Sequence, residues 1–210
     1  MPSSARTRIL VTFLAALVVT AAFGCQDKGK AQQKAPSRFA AVTRESGEKA
    51  QRVFCEQTFP RSGEGARAFV RPKERPAPPH EHPSSKEGGW RWVNLWATWC
   101  RPCVEEMPLL ARWRDALTKD GLPLSVELWS VDEDEDALTD WLKKNRMPGE
   151  VRWLESSDAL AATLASFGLD ASSPIPVHVL VDPDGQVRCA RVGAVHEEDY
   201  GAVKAMLSSR

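Results

Sequence analysis

The sequence predicts an α/β domain in which a mixed central sheet is covered by helices on both faces, preceded by an N-terminal extension. Strand patterns alternate with helical patterns from residue 90 onwards, which is the arrangement of α/β domains. The last two strands flank the turn sequence Asp-Pro-Asp-Gly at residues 182–185, so they form a hairpin. With 210 residues, 42% hydrophobic and 27% charged, the chain has the composition of one globular core with an appendage.

The charges of the chain are balanced, with 28 lysines and arginines against 28 aspartates and glutamates. No overall field of either sign is therefore available to attract nucleic acid or to hold the chain on an anionic membrane. We expect no nucleic-acid partner, and any membrane attachment has to rest on something other than a basic surface.

Residues 1–24 have the form of a bacterial signal peptide. Two arginines precede an apolar run of 15 residues from Ile9 to Phe23, which is shorter than a typical membrane-spanning helix. The run leads to Cys25, which resembles a lipobox cysteine, although Ala22 and Phe23 depart from the usual lipobox residues. We expect Cys25 to carry lipid; ordinary cleavage and an uncleaved membrane anchor are the alternatives.

Composition also divides the rest of the chain. All eight tryptophans lie between Trp90 and Trp153, and the extension before them contains none. Five prolines at residues 72–83 exclude a helix or a central strand from that stretch. We assign residues 25–50 to a tether and the start of an N-terminal helix, 51–89 to an extension with a proline-rich connector, and 90–210 to the α/β domain.

Hydrophobic periodicity predicts the elements in order. The helix of the extension covers residues 39–55, and the domain begins with a buried strand at 92–97. The predicted strands that follow are 124–131, 151–154, 176–181 and 186–192, and the predicted helices are 103–117, 132–141, 158–167 and 197–207. The acidic run at residues 132–136 suits the positive end of a helix dipole, and a docking patch for a basic partner is the alternative interpretation.

Two cysteines lie where the first strand of the domain meets its helix. Cys100 and Cys103 are separated by an Arg-Pro pair, and this spacing allows a disulfide across the first turn of a helix. The helix dipole favours a thiolate on Cys100, the species that attacks a disulfide, whereas Cys103 lies on the apolar face and suits the resolving step. A zinc site with His80 and His82 as further ligands is the alternative.

The remaining cysteines, Cys55 and Cys189, lie outside this segment. If they pair, they close a loop of 134 residues, which the chain-entropy model values at about 5 kcal/mol. Two separate buried thiols, or an intermolecular or catalytic role, are the alternatives.

The segment at residues 95–103, Leu-Trp-Ala-Thr-Trp-Cys-Arg-Pro-Cys, resembles the active site of the TlpA/ResA-like thiol-disulfide oxidoreductases. The likeness continues through Glu-Met-Pro at 106–108, Ser-Val-Asp at 130–132 and Ile-Pro-Val-His-Val-Leu-Val-Asp-Pro-Asp-Gly at 175–185, and it covers roughly residues 90–194. It implies a thioredoxin-like fold for residues 90–210.

The resemblance also implies roles for single residues. Cys100 and Cys103 are the redox pair, and Trp99, Ile175 and Pro176 bind the substrate. Pro176 is expected to be a cis-proline that leaves the backbone of Ile175 free to pair with an extended substrate segment; an ordinary trans-proline opening a strand is the alternative.

Three further positions are singled out by the same comparison. Glu106 matches the family's acidic residue and relays protons to the thiols, with a solvated helix carboxylate as the alternative. Asn94 stands where thioredoxins proper have a buried aspartate. His178 replaces a usual threonine and is expected to be a partly buried strand histidine, on the side of the strand opposite to Val177; an active-site role is the alternative.

We therefore expect a membrane-anchored enzyme that reduces disulfides of specific periplasmic proteins, as in cytochrome c maturation or copper-centre assembly. Its expected partners are a periplasmic protein with a target disulfide and a membrane reductant such as a DsbD/CcdA-type electron donor. The membrane is reached through the lipid anchor on Cys25, and no cofactor or metal is expected. A copper-binding assembly chaperone using the two cysteines with His178, and a non-catalytic envelope lipoprotein on the same fold, are the alternatives.

Overall fold

The structure is a computed structural model that describes residues 38–83 and 88–209. The predicted signal peptide, the predicted lipid site at Cys25 and the tether up to Pro36 lie outside the described residues. The segment Pro36–Arg210 forms one compact unit.

A mixed sheet runs through this unit. Three parallel strands, β4 (Trp90–Trp96), β5 (Leu124–Ser130) and β6 (Glu150–Leu154), pair in that order. On the other side of β4 lies the antiparallel hairpin of β7 (Val177–Val181) and β8 (Gln186–Val192). Its first strand, β7, pairs with β4, so the sequence-predicted hairpin is confirmed.

Three short edge strands of two residues come from the N-terminal extension. The strands are β1 (Gln57–Thr58), β2 (Arg67–Ala68) and β3 (Glu74–Arg75). The first two pair with β8 and the third pairs with β6, which gives the order β1-β8-β7-β4-β5-β6-β3 with β2 also on β8. The proline-rich connector is thus extended and reaches only the edge of the sheet, as its prolines require.

The helices of the unit match the predicted ones to within a few residues. They are α1 (Arg38–Phe54), α2 (Arg101–Lys119), α3 (Glu135–Lys144), α4 (Ser157–Ser166) and α5 (Tyr200–Ser208), the last preceded by a 3₁₀ turn at Glu197–Asp199. Helix α3 begins later in the acidic run than predicted, because Asp134 caps it through bonds from the amides of Asp136 and Ala137. In the part of the chain that the structure describes, no helix has the length and hydropathy needed to cross a membrane.

Helices cover both faces of the sheet, which confirms the predicted fold class. Alternate side chains of β4 enter two separate apolar clusters. Trp92 packs in the cluster that holds Leu110 of α2 and Leu207 of α5, whereas Val93 packs in the cluster that holds Leu164 of α4.

The boundary expected at residue 89 does not separate two compact units. Helix α1 packs on α5, and Gly47 lies so close to Ser209 that a Cβ atom there would overlap the serine side chain. Gly47, which weakens the helix in propensity, is therefore required by this contact. Tryptophan content does not mark the edge of the core, because the extension completes the sheet and contributes the buried side chains of Phe54 and Phe59.

Candidate active site

Cys100 and Cys103 lie at the start of α2 and form a disulfide with a Cα–Cα distance of 5.3 Å. Cys100 is the N-cap residue, and the amide of Cys103 lies 3.3 Å from its Sγ atom. Pro102 lies in the first turn, where its missing N–H costs no helical hydrogen bond. The positive end of the α2 dipole therefore faces the sulfur of Cys100, which stabilises a thiolate there once the bond is reduced.

A cis peptide bond joins Ile175 to Pro176, immediately before β7. The carbonyl oxygen of Ile175 lies 3.8 Å from Sγ of Cys100. The Trp99 side chain is 70% exposed, whereas the other tryptophans are buried or half-buried. The structure thus brings together all the residues that the sequence assigned to the redox pair and to substrate binding.

A cavity of about 670 Å³ is lined by Trp99 and Ile175, the neighbours of Cys100, although neither cysteine of the disulfide lines it. Trp99, Val131, Leu160, Pro174 and Ile175 contribute to its apolar lining. The groove is large enough for side chains of an extended polypeptide, and it places them next to the backbone of Ile175.

The loop that carries Trp99 is held to the end of β5 by Asp132. The backbone amide of Thr98 lies 3.1 Å from both carboxylate oxygens, and the Thr98 hydroxyl donates to Oδ1 at 2.6 Å. Ser130 donates a further hydrogen bond to Oδ2 at 2.8 Å. Asp132 lies before α3, which begins at Glu135. Because Asp132 is buried, it is not available to an acidic docking patch, and its hydrogen bonds position the loop before Cys100.

Glu106 lies on α2 one turn after Cys103, and both side chains are buried. Its exposure of 4% makes the alternative of a solvated helix carboxylate wrong. Asn94 Nδ2 donates to Oε1 at 3.0 Å, and the amide of Val195 donates to Oε2 at 2.9 Å. A carboxylate thus stands within the core behind the redox pair, where it can exchange a proton with the buried thiol.

His178 is fully buried, not partly buried as expected, and it lies on the same side of the sheet as Trp92. Val177 packs in the opposite cluster, as strand alternation predicts. The Nε2 atom of His178 lies 3.3 Å from Oε2 of Glu106, and the Nδ1 atom of His178 lies 3.0 Å from Nε1 of Trp92. The histidine therefore belongs to the polar cluster that surrounds Glu106.

Arg101 points away from the core, with 87% of its side chain exposed. Its Nε atom donates to Glu105 at 2.7 Å, and this hydrogen bond and charge raise the pKa of Arg101 above its ordinary value. Because Glu105 partly neutralises the guanidinium, the charge beside Cys100 is weaker than the sequence alone suggests.

The remaining sequence-assigned cysteines lie apart from this site. Cys55 and Cys189 form a second disulfide that joins the end of α1 to β8.

His80, the formal zinc ligand, accepts a hydrogen bond from the amide of Val151 through Nε2 and approaches the carbonyl of Pro78 through Nδ1. Both ring nitrogens of His80 are thus engaged, Nε2 with β6 and Nδ1 within the connector, which argues against the zinc alternative.

Sequence reasoning missed two residues of the site. The sequence places Trp92 only in a buried strand, and it places Asp132 in an acidic run and in the Ser-Val-Asp segment of the family resemblance, without a role in the site. The available signal was polarity within apolar strands: Asn94 and His178 are polar residues in otherwise apolar segments, and buried polar side chains need partners.

Comparisons with known proteins find a matching family and relatives named as thiol-disulfide oxidoreductases. The sequence profile of the AhpC/TSA family matches residues 80–190. The chain is 30% identical over 97 residues to the thiol-disulfide oxidoreductase ResA of Bacillus thuringiensis subsp. konkukian (strain 97-27), which covers 46% of this chain and 50% of that protein. It is 28% identical over 121 residues to ResA of Geobacillus kaustophilus (strain HTA426), which covers 57% and 64% respectively. The chain thus spans about half the length of the curated relatives it matches.

Solved structures of similar shape include a secreted thiol-disulfide isomerase from Corynebacterium glutamicum, with a TM-score of 0.47 and 24% identity over 59% of this chain and 73% of that one. The pneumococcal exposed lipoprotein thioredoxin from Streptococcus pneumoniae matches with a TM-score of 0.46 and 17% identity, over 59% and 87% of the two chains.

Proposed function

This chain belongs to the AhpC/TSA family, and from that premise we propose that it is a protein thiol-disulfide oxidoreductase. The observation that carries the proposal is the position of the Cys100–Cys103 disulfide, which caps a helix N-terminus beside the carbonyl of Ile175 and an open groove. Similarity to proteins named thiol-disulfide oxidoreductase supports the same reaction.

The reaction begins with the reduced pair. The thiolate of Cys100 attacks one sulfur of the substrate disulfide, which forms a mixed disulfide and releases the other substrate sulfur as a thiolate. Cys103 then loses its proton to Glu106 and attacks Cys100, which forms the Cys100–Cys103 bond and releases the second substrate sulfur. Glu106 passes the proton of Cys103 on to one substrate sulfur, and the other sulfur takes from solvent the proton that Cys100 gave up on ionising. The substrate thus gains two protons and two electrons from the enzyme dithiol.

Substrate binding rests on the groove and on Ile175. The cis-proline bond turns the backbone of Ile175 towards Cys100, as the 3.8 Å approach to Sγ indicates. An extended segment of the substrate pairs with this backbone, while its side chains enter the cavity lined by Trp99 and Leu160. The substrate is therefore a folded protein with a disulfide in an exposed, extended segment.

We place this activity in the periplasm, with the enzyme held to the membrane by lipid on Cys25. The proposed direction is reduction of specific proteins, of the kind involved in cytochrome c maturation or copper-centre assembly. Because exported thiols tend to be oxidised, the direction requires a dithiol electron donor in the membrane, of the DsbD/CcdA type, to reduce the Cys100–Cys103 bond after each turnover.

The copper-chaperone alternative is not favoured by the surroundings of His178. Its Nδ1 atom accepts the indole N–H of Trp92, which places the ring proton on Nε2, so neither ring nitrogen presents a free lone pair to a metal.

A trapping experiment tests the proposal. The Cys103→Ser variant of the full chain, expressed with its own N-terminal segment in a bacterial envelope, cannot resolve the intermediate, so we expect Cys100 to accumulate in a mixed disulfide with an exported protein. Mass spectrometry of the adduct identifies the substrate and the linked cysteine. The Cys100→Ser, Cys103→Ser double variant is the matched control and should capture nothing. If both variants give the same adducts, or neither gives any, the proposed function is wrong.

A further inference from the structure

A buried polar cluster lies behind the redox pair, where β4 and β7 face α2. Asn94 and His178 are register partners on the two strands, and both are fully buried. Glu106 meets them from α2 with an exposure of 4%. Such a cluster is costly to desolvate unless each member has a defined partner, so its hydrogen bonds indicate what it holds in place.

The hydrogen bonds fix the tautomer of His178. The indole Nε1 of Trp92 lies 3.0 Å from His178 Nδ1, and an indole nitrogen can only donate. Asn94 Nδ2 lies 3.2 Å from the same ring nitrogen. Nδ1 therefore presents its lone pair to Trp92, and the single proton of the neutral ring has to be on Nε2.

That N–H lies close to Glu106 without the alignment of a hydrogen bond, and Nε2 has no hydrogen-bond partner among the described residues. The Nε2 atom of His178 lies 3.3 Å from Glu106 Oε2, which accepts from the amide of Val195, while Oε1 accepts from Asn94. Three groups from three parts of the chain thus surround one carboxylate. The other charged neighbour of the ring is Arg191, its register partner on β8, whose guanidinium binds the carbonyl of Phe54 and the carboxylate of Asp199 instead.

We propose that His178 is a positioning residue for Glu106, and the inference rests on the proposed thiol-disulfide exchange. Trp92 fixes the imidazole in the Nε2–H form, and the dipole of this N–H, 3.3 Å from Oε2, attracts the Glu106 carboxylate and keeps it where it accepts the proton of Cys103. Glu106 is one helical turn from Cys103 on the same buried side of α2, so the carboxylate needs only the correct rotation to reach the thiol.

The proton moves between two groups only. The Cys103 thiol gives its proton to the Glu106 carboxylate, and the resulting thiolate attacks Cys100 in the mixed disulfide. The Cys103–Cys100 bond forms while the bond from Cys100 to the substrate sulfur breaks, and the leaving thiolate takes up a proton. His178 keeps its Nε2 proton throughout, so it orients the acceptor without itself exchanging a proton.

The tautomer is measured directly by NMR of the full chain labelled with ¹⁵N-histidine. We expect His178 to show a protonated Nε2 and an unprotonated Nδ1, and the His178→Gln spectrum, which lacks this one ring, provides the assignment. The Trp92→Phe variant removes the indole donor and leaves only the Asn94 contact to Nδ1, so a population of the Nδ1–H form should appear. A proton on Nδ1, or on both nitrogens, in the wild type would overturn the proposal. This measurement does not depend on whether the chain exchanges disulfides.

The effect on the chemistry is measured with Ellman's reagent as the disulfide probe. Attack by Cys100 on the reagent releases a first nitrothiobenzoate, and attack by Cys103 on the adduct releases a second. We expect His178→Phe to slow the second phase at least about tenfold and leave the first phase near the wild-type rate. In the His178→Phe variant, the rate of the second phase should also rise about tenfold for each unit of increase in pH, because a thiol without a proton acceptor must ionise before it attacks.

Gln at position 178 supplies an amide N–H at the place of Nε2, so His178→Gln should restore most of the second-phase rate. Leu180→Ala is the matched control, since Leu180 is the next residue on the same side of β7 and its register partner is Trp92. It should lower stability and keep the wild-type pH dependence. Equal second phases in the Phe and Gln variants, or the same change in the Leu180 variant, would contradict the proposal. A wild-type chain that never releases the second nitrothiobenzoate contradicts the proposed function instead.

Discussion

The described residues contain two disulfides that have a similar span and differ in their surroundings. Cys100 precedes a helix and caps its N-terminus, whereas Cys55 follows a helix, after the last residue of α1. The helix dipole therefore favours a thiolate at Cys100 and disfavours one at Cys55. Both pairs have similar Cα–Cα distances, 5.3 Å and 5.4 Å, so the span between the two cysteines does not tell them apart.

Their neighbours differ as well. The Cys100–Cys103 pair has an open groove on one side and Glu106 one helical turn away on the other. Around the second pair, Met206 Sδ lies 3.9 Å from Sγ of Cys55, and Phe54 belongs to the same apolar cluster as Cys189. We infer that the first pair is reactive because it combines a helix dipole, access for a substrate and a nearby carboxylate, and that the second disulfide, which lacks them, stabilises the fold.

The largest expected difference is between Cys100→Ser and Cys189→Ser. The first should abolish disulfide exchange while the fold stays intact, because the attacking sulfur is gone. The second should retain exchange at temperatures where it remains folded. Turnover of a protein disulfide such as insulin, followed beside circular dichroism, measures both. Loss of exchange in folded Cys189→Ser would show that the two bonds act together.

The next effect concerns the proton acceptor. We expect Glu106→Gln to slow the resolving step roughly 100-fold, because the amide cannot accept the proton of Cys103. The stopped-flow release of the second nitrothiobenzoate from Ellman's reagent measures this step. Glu105→Gln is the control on the exposed side of the same helix and should resolve at close to the wild-type rate. Equal rates for the two variants would remove Glu106 from the chemistry.

Removal of the Cys55–Cys189 bond should act on stability. The bond closes a separation of 134 residues, and loss of such a link costs about 5 kcal/mol in the chain-entropy model. Urea unfolding of the Cys55→Ala, Cys189→Ala double variant measures the change in the free energy of unfolding. An unchanged free energy of unfolding would mean that this bond does not constrain the chain.

The smallest expected effect is at Arg101. Arg101→Glu should raise the pKa of the Cys100 thiol and make the pair more reducing, because a negative charge replaces a positive one beside the sulfur. Since Arg101 is exposed and paired with Glu105, we expect a shift of less than about one pH unit in the alkylation midpoint of Cys100. Arg101→Gln should give a smaller shift in the same direction. Identical midpoints in all three proteins would show that the side chain has no influence on Cys100.

Much of the fold was predictable because it depends on local patterns. Apolar runs such as residues 124–131 and the spacing of apolar residues in α2 predict strands and helices without knowledge of their partners. The two-residue strands β1 to β3 were not predictable, since they exist only through pairing with β6 and β8. A segment of two residues is too short to show the alternation of apolar and polar residues that predicts a strand.

The candidate site divides in the same way. Cys100, Cys103 and Pro176 lie in short motifs that can be read directly from the chain. The pairing of His178 with Glu106 depends on the register of β7 against β4, which sets Asn94 opposite His178, and on the rotation of α2 above them. The sequence predicts which residues form strands, but it does not predict the pairing of one strand with another to within one residue. The contacts among Asn94, His178 and Glu106 are therefore visible only in the three-dimensional structure.

A reductive titration of the native protein tests the central contrast most directly. The full chain is equilibrated with dithiothreitol buffers of stepwise lower potential, its free thiols are alkylated, and the peptides are mapped by mass spectrometry. We predict that Cys100 and Cys103 are alkylated first, over a range in which the Cys55–Cys189 peptide stays linked, and that a protein disulfide substrate reoxidises only that first pair. Reduction of Cys55–Cys189 at the same or a higher potential, or its reoxidation by the substrate, would contradict the assignment of one bond to chemistry and the other to structure.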